Sequence, residues 1–163
     1  MQRTSLLAVA TLLFASLGIA QDAPGLSPSD KKSIEDLIVV EYMQAFIAGD
    51  YTKLRDCFQT PFIRVTGADR NVLPTLDAVI ASYHANLDQL HQRGYATSKI
   101  KGAAHIWMLA PDLVLVNQAF TRYKADGSQL EEAGGFYLVS KSSGKWKIVG
   151  TIRQDPAFAG KVY

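Results

Sequence analysis

Cysteine is the scarcest residue of this 163-residue chain, with Cys57 its single example, so no internal disulfide can form and stability has to come from packing. Neither sign of charge dominates: 17 Lys and Arg stand against 15 Asp and Glu, a formal net charge of +2, and the basic residues are scattered. That pattern lacks the clustered cationic footprint of a nucleic-acid binder. No G-x-S-x-G, Walker-type or dinucleotide-type glycine pattern occurs, which removes the usual support for a serine hydrolase, a nucleotide enzyme or a flavoenzyme, and no cofactor is expected. Histidine is sparse too. His84 and His91 lie seven residues apart on one expected helix, about 10.5 Å along its axis, too far to chelate one ion. His105 could join only one of them, short of the three or four protein ligands zinc takes, so no metal site is expected.

The first twenty residues stand apart from the rest. Arg3 opens a run that is apolar from Leu6 to Ala20, with Gly18 and Ala20 just before Gln21-Asp22. This is the pattern of a secretory signal cleaved after Ala20, and it is too short and too broken by Thr11, Ser16 and Gly18 for a membrane anchor. The expected product is exported, periplasmic or secreted, with no membrane attachment in the mature form. Residues 21–155 are long enough for one domain with one core, and 156–163 read as a tail that covers a sheet edge or hangs loose.

Within that domain the apolar period changes once. Ser27-Pro28-Ser29-Asp30 predicts a helix start, with Ser27 as cap, Pro28 in the first turn and Asp30 near the positive end. Ile34, Leu37, Ile38, Tyr42, Ala45 and Phe46 then recur at helical spacing. Gly49 stops this helix, and Asp50 caps a second, short one ending near Phe58. Pro61 to Val65 and Asn71 to Leu73 read as a small hairpin turned by Gly67-Ala68-Asp69-Arg70. Thr75 caps a third helix with Leu76, Val79, Ile80, Tyr83, Leu87 and Leu90 on its stripe, and Gly94 ends it. From Tyr95 the pattern is that of strands: Tyr95 to Leu109, Leu113 to Lys124, Gln129 to Ser140 and Lys145 to Gln154, joined by short loops as an antiparallel meander. Gly102 is a natural bulge, able to curl the first and longest of them. The expected fold is therefore α+β: three N-terminal helices packed on a curved, mainly antiparallel sheet, enclosing a pocket.

Tyr42 to Asp50 (Y-x-x-A-x-x-A-G-D), Leu54 to Phe58, the helix from Thr75 to Arg93 and the closing Gly144-Lys145-Trp146-Lys147-Ile148-Val149 resemble the nuclear transport factor two superfamily. This cone-shaped fold is shared with ketosteroid isomerases and SnoaL-like polyketide cyclases. Gly94-Tyr95, Thr121-Arg122-Tyr123, Asp126-Gly127 and Leu130-Glu131-Glu132 are similar to a bacterial branch of it whose function is unassigned. The resemblance implies that Tyr42 stands where the isomerases place a tyrosine that holds the substrate oxyanion. Their general base is an aspartate on the first strand, where this chain reads Ile63-Arg64-Val65-Thr66-Gly67 with no acid until Asp69. Their second oxyanion acid lies on the penultimate strand, where this chain reads Ala133-Gly134-Gly135-Phe136.

The candidate ligand-binding residues are Tyr42, Tyr83, His105, Trp107 and Arg122, with Arg122 an anion anchor or, alternatively, one half of an outward salt bridge. Candidate catalytic residues are Tyr42, Asp69 and His84. His84 and His91 also read as the polar edge of an amphipathic helix, Trp146 and Ile148 as core, and Cys57 as an inert buried thiol. Which face of the Leu113–Lys124 strand points inward is open, Asn117, Thr121 and Tyr123 sharing one face and Gln118, Phe120 and Arg122 the other. Three readings follow: a binder of a small apolar or amphipathic molecule; an isomerase, cyclase or dehydratase using Tyr42 with Asp69 or His84; and an interaction module acting as a homodimer.

Overall fold

A computed structural model describes residues 25–158, so the expected signal segment and the last five residues of the tail lie outside the described residues. The first helical rod starts at α1 (Pro28–Glu35), where the Asp30 amide donates to the Ser27 hydroxyl oxygen at 3.1 Å. It runs on through a π-helical stretch, Asp36–Tyr42, into α2 (Met43–Ala48). The apolar spacing predicts an ordinary helix here, because a stripe at 34, 37, 38 and 42 is compatible with either winding. Gly49 ends the rod at φ 62°, a left-handed conformation that needs glycine, and the Asp50 carboxylate then caps α3 (Tyr51–Cys57) by accepting from the Lys53 amide.

The hairpin β1 (Phe58–Thr66) and β2 (Asp69–Leu73) follows, then α4 (Leu76–Gln92), capped by Thr75. The meander is β3 (Tyr95–Ala110), β4 (Leu113–Lys124), β5 (Gln129–Ser142) and β6 (Lys145–Arg153), and a single turn of 3-10 helix, Pro156–Phe158, closes the described chain. These elements form one curved sheet in the order β2-β1-β6-β5-β4-β3. All pairs are antiparallel except β1 with β6, which no local sequence signal announces.

The concave face of the sheet meets the helices. Val114 and Val116 of β4, Tyr137 and Val139 of β5, and Trp146 and Ile148 of β6 pack in one core with Ile34, Ile38, Phe46, Leu54, Val79 and Leu87. Burying such side chains stabilises by about 1.5–3 kcal/mol each. The bulge expected at Gly102 is present: Lys101 pairs with Ala119 and His105 with Asn117, so three residues of β3 face one of β4 there, and Gly102 takes φ 72°. On both sides of this bulge β3 turns even-numbered residues inward, Ile100 against Phe120 and Ile106 against Val116. At the far end of the sheet Asp30 ties α1 to the β5–β6 hairpin, its Oδ1 accepting from Lys141 Nζ at 2.7 Å and from Trp146 Nε1 at 2.8 Å.

Candidate functional site

Between the helices and the sheet lies a cavity of about 90 Å³ with an open mouth. Helices and strands both supply its walls. Tyr42 enters from the end of the π-helical stretch, Tyr83 and Asn86 from α4, Arg64 from β1, Phe120 and Arg122 from β4, Tyr137 from β5, and Thr151 and Arg153 from β6. The pairing of Arg64 with Thr151 and of Gly135 with Arg153 aligns these side chains on the same concave face. Gly135 is glycine for a steric reason, since a Cβ there would sit 2.8 Å from the Ile152 carbonyl oxygen.

The floor is aromatic. The Tyr42 ring lies edge-on to those of Phe58, Tyr83 and Tyr137, with centroids 6.0, 6.0 and 5.5 Å away, a favourable arrangement of ring quadrupoles. The Tyr42 hydroxyl interacts with those of Tyr83 and Tyr137. Burial pushes all three phenols above their ordinary range, Tyr83 and Tyr137 well above it. For Tyr42 the neighbouring hydroxyls of Tyr83 and Tyr137 and the charge of Arg122 offset part of that effect. All three are neutral at physiological pH.

The side of the cavity is cationic. Arg122 is buried, with 7% of its surface exposed, its guanidinium centre 5.2 Å from the Phe120 ring and 5.9 Å from the Phe46 ring. Its Nη1 donates to Glu131 Oε1 at 2.5 Å, while Arg93 Nη2 donates to Glu131 Oε2 at 2.6 Å and Arg153 Nη2 stands 3.9 Å from Oε1. Burial raises the Glu131 pKa, but the hydrogen bonds and charges of Arg93 and Arg122 outweigh it and hold the carboxyl below its usual range. The Arg122 Nε has no hydrogen-bond partner.

Of the residues singled out in the sequence, the structure brings Tyr42, Tyr83 and Arg122 together at this cavity. It places the others elsewhere. His105 and Trp107 are on the convex face, because Ile106 between them packs into the core; Trp107 meets Phe136 there, 6.1 Å between rings. Asp69 is exposed at the start of β2. His84 is exposed on the outer side of α4, 2.9 Å from Asp88 Oδ2 and stacked on Tyr51. Cys57 is buried, and burial with the nearby Glu41 charge pushes its pKa up to about 12. Tyr137, Arg64, Arg153 and Asn86 were not anticipated. Their signal was parity: Arg64 lies between the outward Ile63 and Val65, and Tyr137 alternates with Phe136, but which parity is inward depends on pairing that the sequence does not display.

A larger surface depression of about 480 Å³ lies between the first helical rod and α3, lined by side chains such as Glu41, Gln44, Lys53 and Asp56 that are exposed to solvent. Buried polar groups do not converge there, as they do at the first cavity. Among the described residues no three His, Cys, Asp or Glu side chains are grouped to hold a metal ion, and no helix is long and apolar enough to cross a membrane.

Solved structures share this architecture. A cystatin-like-fold protein of unknown function from Nostoc punctiforme superposes with a TM-score of 0.66 at 17% identity, covering 81% of this chain and 96% of its own. The protein Aln2 from a Streptomyces species gives 0.64 at 13% identity, over 82% and 95%. An NTF2-like protein with a cystatin-like fold from Novosphingobium aromaticivorans gives 0.62 at 15%, over 77% and 80%. At such identities the likeness is one of fold alone. No curated protein matches the sequence. A family profile described as NTF2-like protein (DUF6841) matches residues 30–156, nearly the whole described domain, and the chain belongs to that NTF2-like family.

Proposed function

We propose that this protein binds a small amphipathic molecule in the cavity between Tyr42 and the concave face of the sheet. The observation that carries the reading is the convergence there, from helices and strands distant in sequence, of an aromatic floor with a few buried polar groups, the composition of a ligand site. The enclosed space is small. At about 90 Å³ it falls below the ~300–1,000 Å³ of sites for drug-sized ligands, so it encloses a group of a few heavy atoms and leaves any larger body in the mouth. A fused polycycle does not fit inside it.

The enzymatic alternative, an isomerase, cyclase or dehydratase pairing Tyr42 with Asp69 or His84, has less support. A general base must come within hydrogen-bond reach of the proton it removes, directly or through one water. Both of those residues are exposed and outside the cavity lining, and among the described residues no carboxylate lines it. The proposal also includes export, with residues 1–20 removed after Ala20, which amino-terminal sequencing of the protein recovered outside the cytoplasm tests directly. If the chain works as a homodimer, the convex sheet face is the surface for it, since Ile63, Trp107 and Ile152 are exposed there; sedimentation equilibrium decides between monomer and dimer.

Ligand-observed NMR with a library of small amphipathic fragments tests the binding reading. Thr151 stands half-buried on the cavity wall, and Thr151→Trp fills the mouth. Fragments that bind the natural protein are expected to lose binding to this variant, provided its thermal transition stays cooperative. Fragments that bind both proteins equally would place the site elsewhere and defeat the reading.

A further inference from the structure

The charges around the cavity do not balance. Arg64, Arg122 and Arg153 line it, and among the described residues no aspartate or glutamate does. The nearest carboxylate, Glu131, is already held by Arg93 and Arg122 and lies 3.9 Å from Arg153, so one anion serves three guanidinium groups. Arg64 has no carboxylate partner among the described residues; its Nη1 reaches only the Ser82 carbonyl oxygen, at 3.4 Å. Arg153 is half exposed and Arg64 half-buried, so solvent screens part of this excess of positive charge, and a ligand of opposite sign is attracted to what remains.

The second observation is a donor without an acceptor. Arg122 is more than nine-tenths buried, lines the cavity, and its Nε–H is unpaired although its Nη1 is engaged. A buried donor of this kind costs about 1–3 kcal/mol while unsatisfied, and guanidinium edges fit carboxylates by paired hydrogen bonds. Neutral Tyr42 adds an uncharged donor on the floor. Phe120 lines the same space, and its ring suits an apolar body attached to the anionic group.

We infer that the ligand is an organic carboxylate: its anionic head lies among Arg64, Arg122 and Arg153, and its apolar body contacts the aromatic wall. This deepens the small-molecule reading of the preceding subsection and rests on it. It also gives meaning to the first strand, where a cation, Arg64, faces the cavity.

The test uses matched probes, benzoate and butyrate against benzamide and butyramide, with inorganic phosphate as a third arm, at constant ionic strength. Binding to the full-length chain is followed by chemical-shift changes of the cavity residues Tyr42, Tyr83 and Arg122. The carboxylates are expected to bind about tenfold or more tighter than the amides, the worth of one charge-assisted hydrogen bond. Arg64→Gln, which breaks no ion pair with another described residue, should remove most of that preference, read as the ratio of carboxylate to amide affinity; Arg122→Gln should do the same, with the thermal transition checked because Glu131 loses a partner. Amides binding as well as carboxylates would overturn the carboxylate assignment and leave small-molecule binding standing. Phosphate binding as tightly as benzoate, or a preference that survives both substitutions, would overturn it too. If no probe moves any cavity resonance, the carboxylate assignment and the small-molecule reading fail together.

Discussion

Tyr42 shows how much a single residue's environment decides. Its ring belongs to the core stripe of the first helical rod, while its hydroxyl joins those of Tyr83 and Tyr137 at the cavity. Tyr137→Phe keeps the ring contacts and removes one hydroxyl from that buried cluster, so it should cost about 1 kcal/mol, read as a lower urea midpoint at unchanged slope. An unchanged midpoint would mean that the hydroxyl cluster contributes nothing. Cys57 offers a second test at this scale. With its pKa raised to about 12 the thiol is protonated throughout the physiological range, and it is buried. A thiol reagent at pH 8 should leave the native protein unmodified and label one site in denaturant; rapid native labelling would contradict its placement. The sequence placed Tyr42, Tyr83 and Arg122 among the candidates because each sat on an apolar stripe or strand. It could not show that Tyr137 completes the cluster, since nothing local ties β5 to the first rod.

At the scale of elements, the caps and stops were legible because their chemistry is local: Ser27, Asp50 and Thr75 accept from amides three residues on, and Gly49 supplies a left-handed end. The π-helical winding of Asp36–Tyr42 was not, because the same apolar stripe suits both forms. Asp30 joins elements far apart in sequence. Hydrogen bonds from Lys141, Trp146 and Ser27 lower its pKa to about 2 from the ordinary 3.8. A carboxyl with a depressed folded pKa contributes stability that is complete above its unfolded value and lost as the pH falls through the folded one. The thermal midpoint should therefore drop between about pH 4 and pH 2, and Asp30→Asn should flatten that acid limb while lowering the midpoint at neutral pH. Parallel pH profiles for the two proteins would count against this role. In β5, Gly135→Ala puts a methyl group 2.8 Å from the Ile152 carbonyl oxygen, and a loss of about 1–3 kcal/mol is expected from the forced shift. Chemical denaturation measures it, and a neutral effect would mean that β5 and β6 separate more easily than their pairing implies.

For the whole molecule, the sheet order decides what reaches the cavity. The parallel pairing of β1 with β6 brings Arg64 beside Thr151 and two residues from Arg153, while Arg122 arrives from β4. Those three cations are scattered in the sequence, and only the closure of the sheet gathers them. The helix-then-meander order and the bulge at Gly102 were enough to read the cone shape, whereas the chemistry inside it depended on this one long-range pairing and on strand parity. His105 and Trp107 illustrate the second point: they share a face, as their spacing implies, and that face is the convex one.

The measurement that bears most directly on the central claim is native mass spectrometry of the protein isolated under gentle conditions from its native host. A stoichiometric extra mass is expected, released as a small organic acid on denaturation and absent from Thr151→Trp. A clean protein mass, or an added mass that Thr151→Trp retains, would contradict a ligand held in the cavity beneath Tyr42.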